Sequence, residues 1–146
     1  MPIDYKDYHP DWASISHQIR VERAENRCEW CQAPNGESIA RGQGQNAGTY
    51  MLKDGRVFDA NDGTPITLAT STHYDVKKHV RIILTVAHLD HNETDHNVPP
   101  ERLAALCQRC HLNLDRRDNY LRRFHRGQFA LEFSSYPFYA PLRLNY

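Results

Sequence analysis

The chain has 146 residues, 40% of them hydrophobic and 25% charged, the profile of a globular domain with one modest core rather than two independent ones. It carries no apolar run long enough to span a bilayer and no N-terminal hydrophobic signal segment, so a soluble, cytoplasmic protein with no membrane partner is expected. Eighteen basic residues balance eighteen acidic ones, yet the charge is segregated. Residues 1–40 have a net charge of −3, whereas residues 101–126 set seven arginines against Glu101, Asp115 and Asp118 for a net of +4.

In chain order, His9-Pro10-Asp11 followed by Trp12, Ile15 and Ile19 predicts a helix running to about Asn26, because apolar residues recur at three- and four-residue spacing. Gln32 to Gly36 reads as a turn, and Arg41 to Gly48 as a glycine-rich mobile stretch. Thr49 to Leu52 and Arg56 to Asp59 flank Lys53-Asp54-Gly55, where Asp-Gly signals a hairpin. A short strand is expected at Ile66 to Ala69. Val80 to Ala87, rich in β-branched residues, predicts one buried strand ending at His88. After the polar loop Asp90 to Val98, Pro99-Pro100 suits a helix start. Leu103, Leu106, Cys107, Cys110 and Leu114 then mark one face of a helix, with the pattern extending through Leu121 and Phe124. The aromatic, proline-punctuated tail from residue 127 to 146 is expected to wrap back on the core.

All four cysteines fall in two Cys-x-x-Cys knuckles, Cys28-Glu29-Trp30-Cys31 and Cys107-Gln108-Arg109-Cys110, separated by 75 residues. Two such knuckles can close one tetrahedral four-cysteine zinc site. A pair of disulfides is the alternative, and it would need an oxidising compartment. Closing the zinc site would draw His88, His91 and His111 together. On one helix, His111 and Asp115 stand four residues apart and share a face.

Phosphodiester hydrolysis needs a base to activate water, a cation to stabilise the phosphorane-like transition state, and help for the departing 3′ oxygen. An imidazole at a strand end opposite metal ligands on a helix would bring these parts to one phosphate. The order of apolar strand, His88, variable loop and Leu106-Cys107-Gln108-Arg109-Cys110-His111 resembles the HNH, or ββα-metal, endonuclease family over residues 84–115. The first knuckle and the Trp12 helix are similar to its zinc-stapled phage and bacterial subgroup. The resemblance implies a small α+β fold: an N-terminal helix and first knuckle (1–36), an added β-hairpin region (37–79), a ββα core with the second knuckle (80–126) and the aromatic tail (127–146), together one domain.

By the same resemblance, His88 takes the position of the general base, and His111 and Asp115 those of ligands to a catalytic cation such as Mg, Mn or Ni. Arg109, Arg116, Arg117, Arg122 and Arg123 are the expected contacts to the backbone of DNA, double-stranded DNA foremost. Two positions depart from the family. Ala87 stands where most members place a metal-binding Asp or His, and Arg102 where they place a loop-bracing Asn, a role for which Asn97 is a shifted candidate. Either Asp90 or His91 replaces the missing ligand and the chain cuts DNA, or catalysis is lost and the chain is a zinc-finger-like module that binds DNA or protein.

Overall fold

A computed structural model describes residues 5–66 and 74–125 of the chain, with the side chains of 5, 75–77 and 122–125 outside that description. The expected continuation of a strand to Ala69 and the aromatic tail lie outside the described residues. The first long helix, α1, opens at Trp12–His17 and widens into a π-helical turn over Gln18–Arg23, where Ala24 N–H reaches back to the Ile19 carbonyl. It ends short of the expected Asn26 because Glu25 and Asn26 adopt left-handed φ of 51° and 58°, which turns the chain out of the helix and into the first knuckle.

Beyond the knuckle lies a five-stranded antiparallel sheet: β1 (Ser38–Gly42), β2 (Thr49–Met51), β3 (Val57–Asp59), β4 (Pro65–Ile66) and β5 (Tyr74–Arg81), ordered β4-β3-β2-β1-β5. The hairpin at Asp54-Gly55 is in place, with Met51 opposite Val57 and Thr49 opposite Asp59. Its Asp54 side chain accepts the Arg56 backbone N–H, the local bond that makes Asp-Gly a turn former. The glycine-rich stretch from Arg41 to Gly48 takes in the last two residues of β1 and a 3-10 turn at Gly44–Asn46. At the end of β1 the register slips between Ala40 and Gly42, where a Cβ on Gly42 would stand 2.0 Å from the Asn46 carbonyl oxygen.

The strand expected from Val80 to Ala87 is two strands. β5 ends at Arg81, and β6 (Thr85–His88) begins after a break at Ile82–Leu84. Ile82 and Leu84 are buried, and their backbone is held by the first knuckle's exit: Gly36 N–H donates to the Ile82 carbonyl, Ile82 N–H to Glu37, and Leu84 N–H to the Asn35 side chain. The chain thereby passes from the large sheet to a second, two-stranded one.

That second sheet pairs β6 with β7 (Leu103–Leu106), Thr85 opposite Leu106 and His88 opposite Leu103. The expected helix from Leu103 is therefore corrected: Pro100–Arg102 forms a 3-10 turn, Leu103–Leu106 is a strand, and α2 runs Gln108–His125. A short apolar run buried on both faces has no period that separates strand from helix, and pairing with β6 decides it. One core cluster places the four cysteines among Ile39, Tyr50 and Leu52 of the large sheet region and Ala87, Ala104 and Leu106 of the small one. A second, on the other face of the small sheet, packs Leu103, Ala105 and Val86 against Trp12, Ile15 and Ile19.

Candidate metal and catalytic centre

The two knuckles meet. Cys28, Cys31, Cys107 and Cys110 are at most 2% exposed, form no disulfide, and place their sulfurs all within 4.8 Å of one another. Cys31 and Cys107 sulfurs are 3.6 Å apart, close to the edge of about 3.8 Å that a tetrahedron with metal–sulfur bonds of about 2.3 Å requires. Cys107 N–H also points at the Cys28 sulfur, 3.3 Å away, a bond that favours a thiolate. Hydrogen bonds shared among the four sulfurs lower the Cys107 thiol in pKa and raise those of Cys31 and Cys110. Among the described residues these four form the single such group of three or more, and they could hold a metal ion such as zinc.

Both knuckles are braced from outside. Glu29, in the knuckle's turn, satisfies the outer edge of β7: its N–H donates to the Ala105 carbonyl, and its carboxylate accepts the Ala105 N–H at 2.6 Å. Arg23 clamps the same carboxylate through two bonds and also donates to the carbonyls of Pro100 and Leu103. From the large sheet, the Tyr50 hydroxyl donates to the Cys31 carbonyl. The turn before β4 packs directly on the knuckle, since a Cβ on Gly63 (φ +76°) would stand 2.7 Å from the Gln32 side chain.

Strand alternation then sorts the histidines. Thr85 and Ala87 face α2 and the cysteines, for the Thr85 hydroxyl bonds His111 Nδ1 at 2.9 Å and Ala87 packs in the cysteine cluster. Val86 and His88 face the opposite way. The His88 ring, 5% exposed, stacks on Trp12 at 4.8 Å and 16° and meets Tyr8 edge-on at 5.6 Å. Burial holds its pKa below the ordinary imidazole value, and Arg102 adds to this, while Glu93 and Asp90 act in the opposite direction. His88 is thus separated from His111 by the thickness of the small sheet.

The group that does converge is His91, His111 and Asp115. His91 Nδ1 lies 3.8 Å from Asp115 Oδ1, and His111 Nε2 lies 4.0 Å from the same oxygen. Both separations are too long for hydrogen bonds. Two ligand atoms each about 2.1 Å from a shared cation would lie about 3 to 3.4 Å apart, so Asp115 stands near ligand distance of each imidazole in turn, while the three side chains do not form a closed ligand set. His91 Nε2 is buried without a hydrogen-bond partner, and its backbone is held at φ 53°. An open cleft beside it is lined by His91, Glu93, Asp115, Asp118 and Asn119. Asp90 is elsewhere engaged, its carboxylate held by Arg102 at 2.7 Å.

Of the expected DNA contacts, Arg116 and Arg117 are exposed on α2, the side chains of Arg122 and Arg123 lie outside the described residues, and Arg109 is turned to the large sheet. Its guanidinium donates to the Ala60 carbonyl at 2.6 Å and to the Asn61 side chain, tying α2 to the turn that covers the first knuckle. Thr85 and Glu29 were not singled out by sequence, because a lone threonine or glutamate carries no spacing signal; only the fold brings them to His111 and Ala105. No helix among the described residues is long and apolar enough to cross a membrane. No protein-family model matches the chain, and neither a curated protein nor a solved structure matches it.

Proposed function

We propose that this protein is a zinc-stapled, cation-dependent endonuclease that hydrolyses phosphodiester bonds of double-stranded DNA, working in a compartment where its thiols stay reduced. The observation that carries the reading is the approach of His91 to Asp115 and His111 across one carboxylate oxygen, beside an open cleft. The four cysteines take a structural zinc, since its positions are all filled by protein sulfur. His111 and Asp115 would hold the catalytic cation, Mg, Mn or Ni, with Thr85 fixing the His111 ring so that Nε2 faces Asp115, the second-shell arrangement common to metal-bound histidines. When bound, that cation would supply the charge that stabilises the phosphorane-like transition state and the departing 3′ oxygen.

His91 replaces His88 as the residue that accepts the proton of the attacking water, imidazole being suited to that task near neutral pH. Asp90 immediately precedes it, but its carboxylate is held by Arg102, which leaves the cation to His111 and Asp115. Arg116 and Arg117 carry the basic charge for the DNA backbone. A plasmid-nicking assay with a panel of Mg, Mn and Ni tests this. Cutting should disappear in His91→Ala and His111→Ala while zinc content and fold persist. Loss of cutting in a folded His88→Phe, with His91→Ala still active, would return the base to His88.

The competing reading is a zinc-finger-like module that binds DNA or protein without cutting it. The absence of a ligand at Ala87 and the burial of His88 favour it. Retention of DNA without nicking under every cation would establish it.

A further inference from the structure

The loop between β6 and β7 carries His91, and it is acidic: Asp90, Glu93 and Asp95 fall within six residues. Such a loop has little apolar anchorage of its own, and exposed loops of this kind are ordinarily mobile. Here one side chain spans it. Arg102, 18% exposed, bonds the Asp90 carboxylate through Nε and Nη2, the Asp95 carboxylate through Nη1 at 3.0 Å, the Asn92 carbonyl through Nη2 at 3.2 Å, and the Asn97 carbonyl through Nη1. Its own backbone is fixed at both ends: the carbonyl accepts Leu89 N–H at the end of β6, and the N–H donates to Pro99. The guanidinium therefore links the start, middle and end of the loop to the foot of β7.

From this geometry we infer that Arg102 is the positioning residue of the centre, resting on the reading that His91 serves a cation-dependent site. It acts in two ways. It holds residues 90–97 in the conformation that carries His91, with its left-handed backbone, over α2. It also neutralises the carboxylates of Asp90 and Asp95, so that their mutual repulsion does not open the loop. A fork of five donors in one plane can serve four acceptors at once; a lysine ammonium cannot.

The test uses zinc-loaded full-length protein and Mn2+ as a paramagnetic probe, read through the imidazole NMR signals of His91 and His111. In wild type, Mn2+ should broaden both rings. In Arg102→Ala and in Arg102→Lys, broadening of His111 should persist, since Thr85 and Asp115 are untouched, while that of His91 is lost, and the Mn2+ affinity should fall about tenfold. Failure of Lys to rescue is expected if the planar fork matters. Asp95→Asn, which removes one arm at an exposed residue, should give a smaller loss and guards against misfolding of the arginine variants. Equal broadening of both rings in wild type and in all variants would overturn the positioning role, as would tighter Mn2+ binding on release of the two carboxylates. Absence of broadening in wild type would instead overturn the cation-site reading itself and leave Arg102 a purely structural brace.

Discussion

Replacing Glu29 by alanine removes an acceptor that the small sheet cannot replace. Ala105 is fully buried, and its N–H has the Glu29 carboxylate as its partner at 2.6 Å, on the edge of β7 away from β6. A buried N–H left without a partner costs about 1–3 kcal/mol. The Arg23–Glu29 ion pair adds little, because its side chains are 33% and 26% exposed, and such pairs contribute about 0–1 kcal/mol. Glu29→Ala should therefore destabilise by about 1–4 kcal/mol in total. Glu29→Gln keeps a side-chain carbonyl for Ala105 and loses only the charge, so it should cost about 1 kcal/mol or less. Urea unfolding of the metal-loaded protein, followed by far-UV circular dichroism, measures both. Equal losses in the two variants would show that the ion pair, not satisfaction of the Ala105 amide, secures this edge, and the reasoning would fail.

Stripping the four-cysteine site with a strong chelator should unfold the domain cooperatively, because structural zinc supplies about 10–16 kcal/mol and typical net stability is about 5–15 kcal/mol; a native circular dichroism spectrum in metal-free protein would count against this. Burial of neutral His88 depresses its pKa, so the unfolded chain binds the proton more readily. Its contribution to stability should be complete above the unfolded value near 6.5 and be lost as pH falls below it. His88→Phe, which keeps an aromatic ring on Trp12, should flatten the stability profile between pH 7.5 and 5, and an unchanged slope would refute the assignment. Gly63→Ala forces a Cβ against Gln32 at a left-handed position, and should lower stability by about 1–3 kcal/mol, measured by thermal melting; an unaltered melting temperature would mean that the turn is not packed on the knuckle.

Local chemistry made several features readable in advance. The duplicated Cys-x-x-Cys spacing allows one closed site, since four ligands separated in pairs need only meet once. Asp54-Gly55 specifies its hairpin through a side-chain bond two residues long, and His111 and Asp115 share a face because four residues make roughly one helical turn. What the sequence left open were features that depend on which segments pair. Leu103–Leu106 suits a helix or a strand equally, and becomes a strand by meeting Thr85–His88. The apolar stretch after Val80 is divided because Asn35, Gly36 and Glu37 capture its backbone between two sheets. Once that pairing is set, strand alternation alone sends Thr85 to His111 and His88 to Trp12. Local sequence therefore determined the knuckles, the hairpin and the helical His–Asp pair, whereas tertiary pairing decided which histidine stands over that pair, because a side chain's face depends on the partner strand that fixes the sheet.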